Sequence, residues 1–402
     1  GDHRYLHSFP TRRSSDLPYG MASTNRIISL AKGLVNNKVS VTIFCLKPAK
    51  YPNNPTKDGF LKKGNFEGID FIYTSFALRD SNNILLKVLY LFNGIINSIF
   101  QIIHLHKSKK IDQIWISFTK THLILLLFFI SKVIRSKFTL FRSEYPALER
   151  NKLSYFFFDK LISYRIFKVF DYFIIMTERL KNYFDLRKRQ SAKSILVPMS
   201  VEPERFELQI NQNNNQKYIA YCGSLNLSKD GIDILIKAFN EIASKYPELK
   251  LFLIGKFEKE NEKKIINGLI SGLQLHERVM FIGSVNRDSI PAYLLNAKLL
   301  ALARPNSEQN ENGFPTKLGE YLITGVPVIV TSVGEIPNYL KHYESVFFAK
   351  PGDYLDFAKN IDLALSDYSF AKKIGKNGKL VALKYFDYRK QGEKIIKEIL
   401  NA

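Results

Sequence analysis

The run Gly325-Val-Pro-Val-Ile-Val-Thr331 limits the possible folds more than any other stretch of the chain. Apart from its proline, Val326 to Val330 is β-branched with no polar alternation, so it suits a central strand buried on both faces. Such a strand needs helices above and below it. The residues just before it supply one. Leu318, Tyr321 and Leu322 recur at helical spacing, Gly325 closes the helix and Pro327 bars its continuation. Thr316 reads as the N-cap. Glu320 falls one turn after Thr316, on a different face from Leu318 and Leu322. A ligand with an anionic end and a hydroxyl-bearing end suits that place. The anion would sit on free backbone N–H groups and the hydroxyls on Glu320. An ordinary loop–helix–strand connection uses the same residues, and at this level both readings stand.

The grammar repeats along the chain. At 402 residues the length suggests two domains. Ile27, Leu30, Ala31 and Leu34 give one helix face, and Val39 to Leu46 a strand. Strands follow at Ile69–Ser75, Gln113–Ser117, Phe138–Arg142 and Tyr172–Met176. Ile84 to His106 reads as a long amphipathic helix whose Leu85, Val88, Leu89, Phe92, Ile96, Ile99 and Ile103 share one side. Asn93, Asn97, Ser98 and Gln101 interrupt it, which argues against a membrane span. Asn211 to Gln216 is polar and Asn-rich and marks a linker. The pattern then restarts with strand Tyr218–Cys222, loop Gly223–Gly231 and helix Ile232–Tyr246. Strands at Lys250–Ile254, Val279–Ile282 and Leu299–Ala303 come next. The expected fold class is α/β: two doubly wound Rossmann-like domains facing a central cleft. Expected boundaries are 18–206 for the first domain, 207–216 for the linker, 217–380 for the second domain and 381–402 for a C-terminal helix that returns to the first.

Residues 1–17 fit neither period. His7 to Leu17 resembles the translation of a sequencing-adapter fragment. The segment is therefore expected to pack poorly, with the first β-strand of the fold missing. Pro18 to Arg26 then reads as a loop opening a helix, where Gly20, Met21, Ala22 and Asn25 bring backbone close to a ligand.

Charge is unevenly spread. Residues 18–200 hold 29 basic and 11 acidic side chains, whereas 201–402 hold 27 and 24. A basic first half suits an anionic partner: a membrane surface, a phosphorylated lipid or a nucleic acid. Tyr155 to Phe170 mixes aromatics with Lys160, Arg165 and Lys168, as a membrane-surface segment or a core helix with snorkelling cations would. Cys45 and Cys222 read as core thiols of a reducing compartment. Nothing matches a nucleic-acid module.

Gly223 to Lys229 follows a strand and precedes a helix, so its backbone can approach a phosphate that Lys229 neutralises. Both this loop and Thr316 lie at carboxyl ends of strands. A diphosphate between them, with Glu320 on an attached ribose, is coherent. These segments, together with Val279–Val285, Phe314–Leu322 and Gly325–Thr331, resemble the family 4 nucleotide-sugar glycosyltransferases of GT-B fold. The resemblance extends over Pro18 to Leu400 and is strongest from Ile219 to Tyr339.

The resemblance implies transfer of a sugar from a UDP- or GDP-linked donor with retention at the anomeric carbon. It implies no metal and no further cofactor. It gives Lys229 the leaving diphosphate and Glu320 the ribose. It places Asn312 where the family's Glu-x7-Glu pair has its first carboxylate. Ser224 stands where many members carry an arginine, and Arg304 is the expected replacement. Gly223, Gly283, Ser284, Val285, Gly313, Phe314, Lys317 and Leu318 complete the donor side. On the acceptor side, His122 and Glu144 lie beyond strand ends of the first half. Glu144 can bind acceptor hydroxyls or pair with Arg142. The expectation is a cytoplasmic enzyme, peripheral at the inner face of the membrane, extending a lipid-linked or cell-surface glycan. Alternatives are a GT-B epimerase or synthase with a soluble acceptor, and a non-catalytic basic protein that binds anions or nucleic acid.

Overall fold

The structure, a computed structural model, describes residues 4–9, 17, 22–48, 62–77, 80–146, 156–207 and 217–400. It divides into two compact units: residues 1–200 with 388–402, and residues 201–387.

The first unit holds an eight-stranded sheet. In chain order its strands are β1 Arg4–Phe9, β2 Val39–Cys45, β3 Lys63–Phe66, β4 Ile69–Tyr73, β5 Gln113–Ile116, β6 Lys137–Arg142, β7 Tyr172–Ile175 and β8 Lys193–Leu196. Their spatial order is β3-β4-β2-β1-β5-β6-β7-β8. All pairs are parallel except β3 with β4. That antiparallel pair turns through Glu67 and Gly68, both at positive φ, the geometry of a two-residue type I′ hairpin. Side chains alternate across the sheet. Phe44, Ile114, Phe138, Leu140 and Phe173 enter one core, whereas Val41, Ile43, Trp115, Phe141 and Ile174 enter another. The second core also takes the helix Ala22–Asn36 and Ile395 of the helix Tyr388–Ile395.

Two expectations about the start of the chain are corrected. β1 lies between β2 and β5, with His7 opposite both Thr42 and Ile114. The first strand is therefore present, formed by the segment expected to be foreign to the fold. An extended stretch there satisfies backbone groups of β2 and β5 that would otherwise face an unfilled slot. Leu17, expected to pack poorly, is buried, and its backbone N–H and C=O both hydrogen-bond Tyr73 Oη. Residues 10–16 lie outside the described residues.

The second unit holds six parallel strands: β9 Tyr218–Cys222, β10 Lys250–Ile254, β11 Val279–Gly283, β12 Leu299–Leu302, β13 Val328–Thr331 and β14 Phe347–Ala349. Their order is β11-β10-β9-β12-β13-β14. This is the 3-2-1-4-5-6 arrangement of a dinucleotide-binding doubly wound sheet. The order reverses between β9 and β12, and a crevice opens at their carboxyl ends. β13 is fully buried, as its β-branched run requires.

The unit begins earlier than the sequence suggested. Val201 N donates to Phe386 O, and Glu202 and Arg205 pair with Arg287 and Glu320 of the same unit. These bonds draw residues 201–206 out of the first domain. Helix Tyr368–Tyr385 ends at Phe386, where the terminal helical pattern breaks.

Candidate active site

Three loops meet at the carboxyl ends of β9, β10 and β11. Gly223 N donates to Ile254 O, Leu225 N to Lys256 O and Gly255 N to Gly283 O. The approach is close: a Cβ on Gly255 would fall 1.8 Å from Gly223 O, and one on Gly223 would fall 2.3 Å from Lys317 Nζ. Both glycines have φ in the region L side chains avoid, +143° at Gly255 and +155° at Gly223.

Beyond Gly223 the chain makes one helical turn, Leu227–Asp230, rather than the open loop expected there. Asn226 caps it by accepting from Lys229 N at 2.8 Å. Two donors then hold Lys229 O: Arg304 Nε at 3.3 Å and Asn310 Nδ2 at 3.0 Å. Lys229 is thus fixed through its backbone, and the residue is half-buried.

Arg304 follows β12 and is 2% exposed. Burial lowers its pKa, opposed by the nearby Asp230 carboxylate. Its Nη1 is buried with no hydrogen-bond partner, as is Asn310 Oδ1. A buried guanidinium N–H left open beside a switch-point crevice suits an anion.

Helix Thr316–Thr324 supplies the other wall. Pro315, not Thr316, occupies its N-cap position, and no side chain caps the helix. Leu318 N bonds to Pro315 O, so Thr316 and Lys317 present the first free N–H groups. Lys317 Nζ donates to Asp230 Oδ1 at 2.8 Å and to Tyr221 Oη at 2.6 Å. Burial lowers the Lys317 pKa, Asp230 opposes that shift, and Arg304 and Lys229 reinforce it. Three cations thus share one carboxylate around this edge, a local excess that favours an anion.

Glu320 lies one turn along. Arg205 Nη1 donates to its Oε1 at 2.8 Å, and Arg205 Nη2 to Arg287 O at 2.9 Å. The carboxylate expected to receive ligand hydroxyls already holds a guanidinium. Cys222, whose N–H donates to Tyr321 Oη at 2.6 Å, lies between these groups. Burial and then Glu320 push its thiol up to about 12, against Lys317 and Arg205.

The remaining donor-side residues spread more widely. Asn312 caps the turn Glu308–Glu311, and its Nδ2 donates to Glu308 O at 2.8 Å. Gly313 follows it, Phe314 is buried against Tyr339 and Phe386, and Leu318 is core. Ser224 Oγ donates to Glu258 Oε1 at 3.0 Å. Gly283 is left-handed with open space at its Cα, followed by exposed Ser284 and half-buried Val285.

In the first unit, Ala22 begins its helix with Asn25 half-buried, whereas Gly20 and Met21 lie outside the described residues. His122 is exposed in the first turn of helix Thr121–Val133. Arg142 donates to Ser117 O and to the backbone O of Glu144. Sequence reasoning missed Arg205, Asp230, Tyr221 and Asn310. Only the Asp beside Lys229 in Ser-Lys-Asp-Gly gave any signal.

Residues 203–381 match the family model for glycosyl transferases group 1. The match spans most of the second unit, residues 201–387. Among curated relatives, an uncharacterized glycosyltransferase of Methanocaldococcus jannaschii is 26% identical over 200 residues, 50% of this chain and 48% of that one. The capsular polysaccharide biosynthesis glycosyltransferase CapM of Staphylococcus aureus is 29% identical over 188 residues, 44% and 47% of the two chains. The chain spans about half the length of the curated relatives it matches. Among solved structures, HepE of Anabaena in complex with UDP-glucose superposes with TM-score 0.73 at 15% identity, over 99% of this chain and 100% of that one. The fold is that of GT-B glycosyltransferases, with two Rossmann-like domains.

Proposed function

We propose that the chain transfers a sugar, with retention at the anomeric carbon, from a UDP- or GDP-linked donor to a lipid-linked or cell-surface glycan. The observation that carries this reading is the convergence of Lys229, Lys317, Arg304 and the uncapped Thr316 helix on one switch-point edge, with Glu320 one turn away. Relatives in polysaccharide biosynthesis support it, as does a structural neighbour that holds UDP-glucose.

In this reading the diphosphate lies against the helix N-terminus and takes the open Nη1 of Arg304 and the ammonium of Lys229. Negative charge grows on the diphosphate as the C1–O bond breaks, so these fixed cations act most strongly in the transition state. The acceptor hydroxyl attacks C1 from the same face, and its proton passes to the leaving phosphate oxygen. Glu320 accepts from the ribose hydroxyls while Arg205 holds its other side. The Asn312 amide meets a sugar hydroxyl, and Gly283 to Val285 flank the base. Gly20, Met21, Ala22, Asn25, His122 and Glu144 serve the acceptor. The enzyme acts at the cytoplasmic face of a membrane and needs no metal.

The test is transfer of radiolabelled sugar from UDP- and GDP-sugars, with and without a lipid extract, with and without EDTA. An EDTA-resistant, lipid-soluble product whose new anomeric linkage matches the donor is expected. A soluble product alone would favour a synthase. No turnover of any nucleotide sugar would overturn the reading.

A further inference from the structure

Helix Ile84–Ser108 is apolar on both its sides. Its inward side sets Leu91, Ile95, Ile99 and Leu105 against the core. Gly94 and Ser98 are buried, and of the large apolar side chains only Ile102 is. A Cβ on Gly94 would fall 2.0 Å from Leu46 O. Asn97 Nδ2 donates to Thr74 O, and Asn93 Oδ1 accepts from Phe76 N, both at 2.9 Å. The apolar stripe faces out: Leu85 is 78% exposed, Val88 62%, Phe92 62% and Phe100 67%. Leu85, Val88, Leu89, Phe92 and Ile96 of the stripe named from the sequence stay exposed, whereas its Ile99 packs against the core.

Two more segments extend it. Helix Thr121–Val133 exposes Leu125, Phe129 and Val133, and the turns from 156 to 164 expose Phe156, Phe157, Leu161 and Tyr164. All three segments rest on one core through Ile102, Leu123, Leu127, Ile166 and Phe167, so they form a single helical layer on one side of the sheet. The layer is basic. Segments 84–108, 121–133 and 156–169 carry six Lys and Arg against one Asp and no Glu, and helix Ile84–Ser108 has no acidic residue. Lys132 and Lys160 lie over the rings of Phe128 and Phe156, at 5.1 and 4.7 Å.

We propose that this layer is a docking surface for an anionic lipid bilayer, in which helix Ile84–Ser108 lies in the interface plane. The outward aromatic and aliphatic side chains enter the acyl boundary, and the basic side chains reach the headgroups. The side-chain bonds of Asn93 and Asn97 hold the helix along its own unit, which is incompatible with its crossing the membrane. A second copy of the chain is a poorer occupant, because it would bring the same positive layer against itself. The inference stands on the first unit and does not rest on the donor chemistry.

The experiment is co-sedimentation of the full chain with phosphatidylglycerol-containing and purely phosphatidylcholine vesicles, with size-exclusion light scattering in parallel. Two variants accompany it: Leu85→Ser with Val88→Ser and Phe92→Ser, and Lys107→Glu with Lys110→Glu. Each must keep the wild-type circular dichroism, and the triple variant removes only outward side chains. Wild type is expected on anionic vesicles, at least about tenfold more than on neutral ones. Either variant should lose binding by about tenfold or more. Wild-type binding by the triple variant would overturn the proposal. So would equal binding to both vesicles, or a concentration-dependent dimer abolished by the triple variant in place of lipid binding.

Discussion

Arg205 and Glu320 are joined by an ion pair at 2.8 Å across 115 residues of chain, with side chains 13% and 23% exposed. The pair ties the entry segment of the second unit to the helix that begins at Thr316. In Arg205→Ala the carboxylate loses its partner, and a loss of about 1–3 kcal/mol is expected from a partly buried pair. Glu320→Gln keeps the shape but not the charge, and should weaken donor-nucleotide binding by about tenfold while costing less stability. Urea unfolding and calorimetric titration separate the two effects. Equal nucleotide affinity in Glu320→Gln and wild type would remove Glu320 from the donor site.

The Lys317–Asp230 pair makes a pH prediction. Burial depresses the folded-state pKa of Lys317 below 10.5. Below that depressed value both folded and unfolded chains are protonated, and the cost of burying the charge is felt in full. As pH rises toward 10.5 the folded chain releases its proton first, so this group's contribution to stability rises. Asp230→Asn removes the opposing carboxylate and should extend that rise to lower pH. Urea midpoints measured from neutral pH to pH 10.5 should climb more steeply in Asp230→Asn than in wild type. Adding Lys317→Met should flatten the difference; an identical slope in all three would contradict the assignment.

Much of the second unit was legible in the sequence, and the reasons are specific. Runs such as Tyr218–Cys222 and Val328–Thr331 are apolar because their strands are buried on both faces. The pairs that set the site's electrostatics were not legible. Asp230 and Lys317 are 87 residues apart and meet only because β9 and the Thr316 helix share a sheet edge. Helix Ile84–Ser108 shows why periodicity alone does not orient a helix. The apolar stripe was evident, but the helix is apolar on a second side too, where Leu91, Ile95 and Ile102 meet the core and Asn93 and Asn97 bond the residues after β4. The β3–β4 hairpin escaped notice because its turn is Glu-Gly rather than Asn-Gly.

Glycine substitutions probe the crossing of the three loops. Gly255→Ala places a methyl 1.8 Å from Gly223 O, a backbone atom that cannot turn aside. Gly283→Ala meets open space and suffers only its positive φ. The first should cost upwards of about 3 kcal/mol and the second about 1–2 kcal/mol. Thermal melts giving equal losses would contradict the loop geometry.

Cys222 reports on the same place. With its thiol pushed from 9.0 to about 12, little thiolate exists near neutral pH. Alkylation by iodoacetamide at about pH 8 should run about a thousandfold slower than for a free thiol and keep climbing with pH beyond 9. Because the folded-state value is raised, stability from this group is intact below pH 9 and falls as pH rises toward 12. Glu320→Gln removes a charge that raises the thiol and should speed alkylation. Rapid labelling in the native chain would contradict the raised thiol pKa.

The central claim is that a nucleoside diphosphate binds where Lys229, Lys317 and Arg304 converge. Its most direct test is calorimetric titration of UDP, GDP and ADP into wild type, Lys229→Ala and Arg304→Met, with unfolding measured on each. At least one nucleotide should bind wild type, and each variant should weaken it by about tenfold or more. Arg304→Met should do so without lowering stability, since it replaces a buried, half-satisfied cation with a side chain of similar length. Absence of binding by all three nucleotides, or undiminished binding in both variants, would contradict the account.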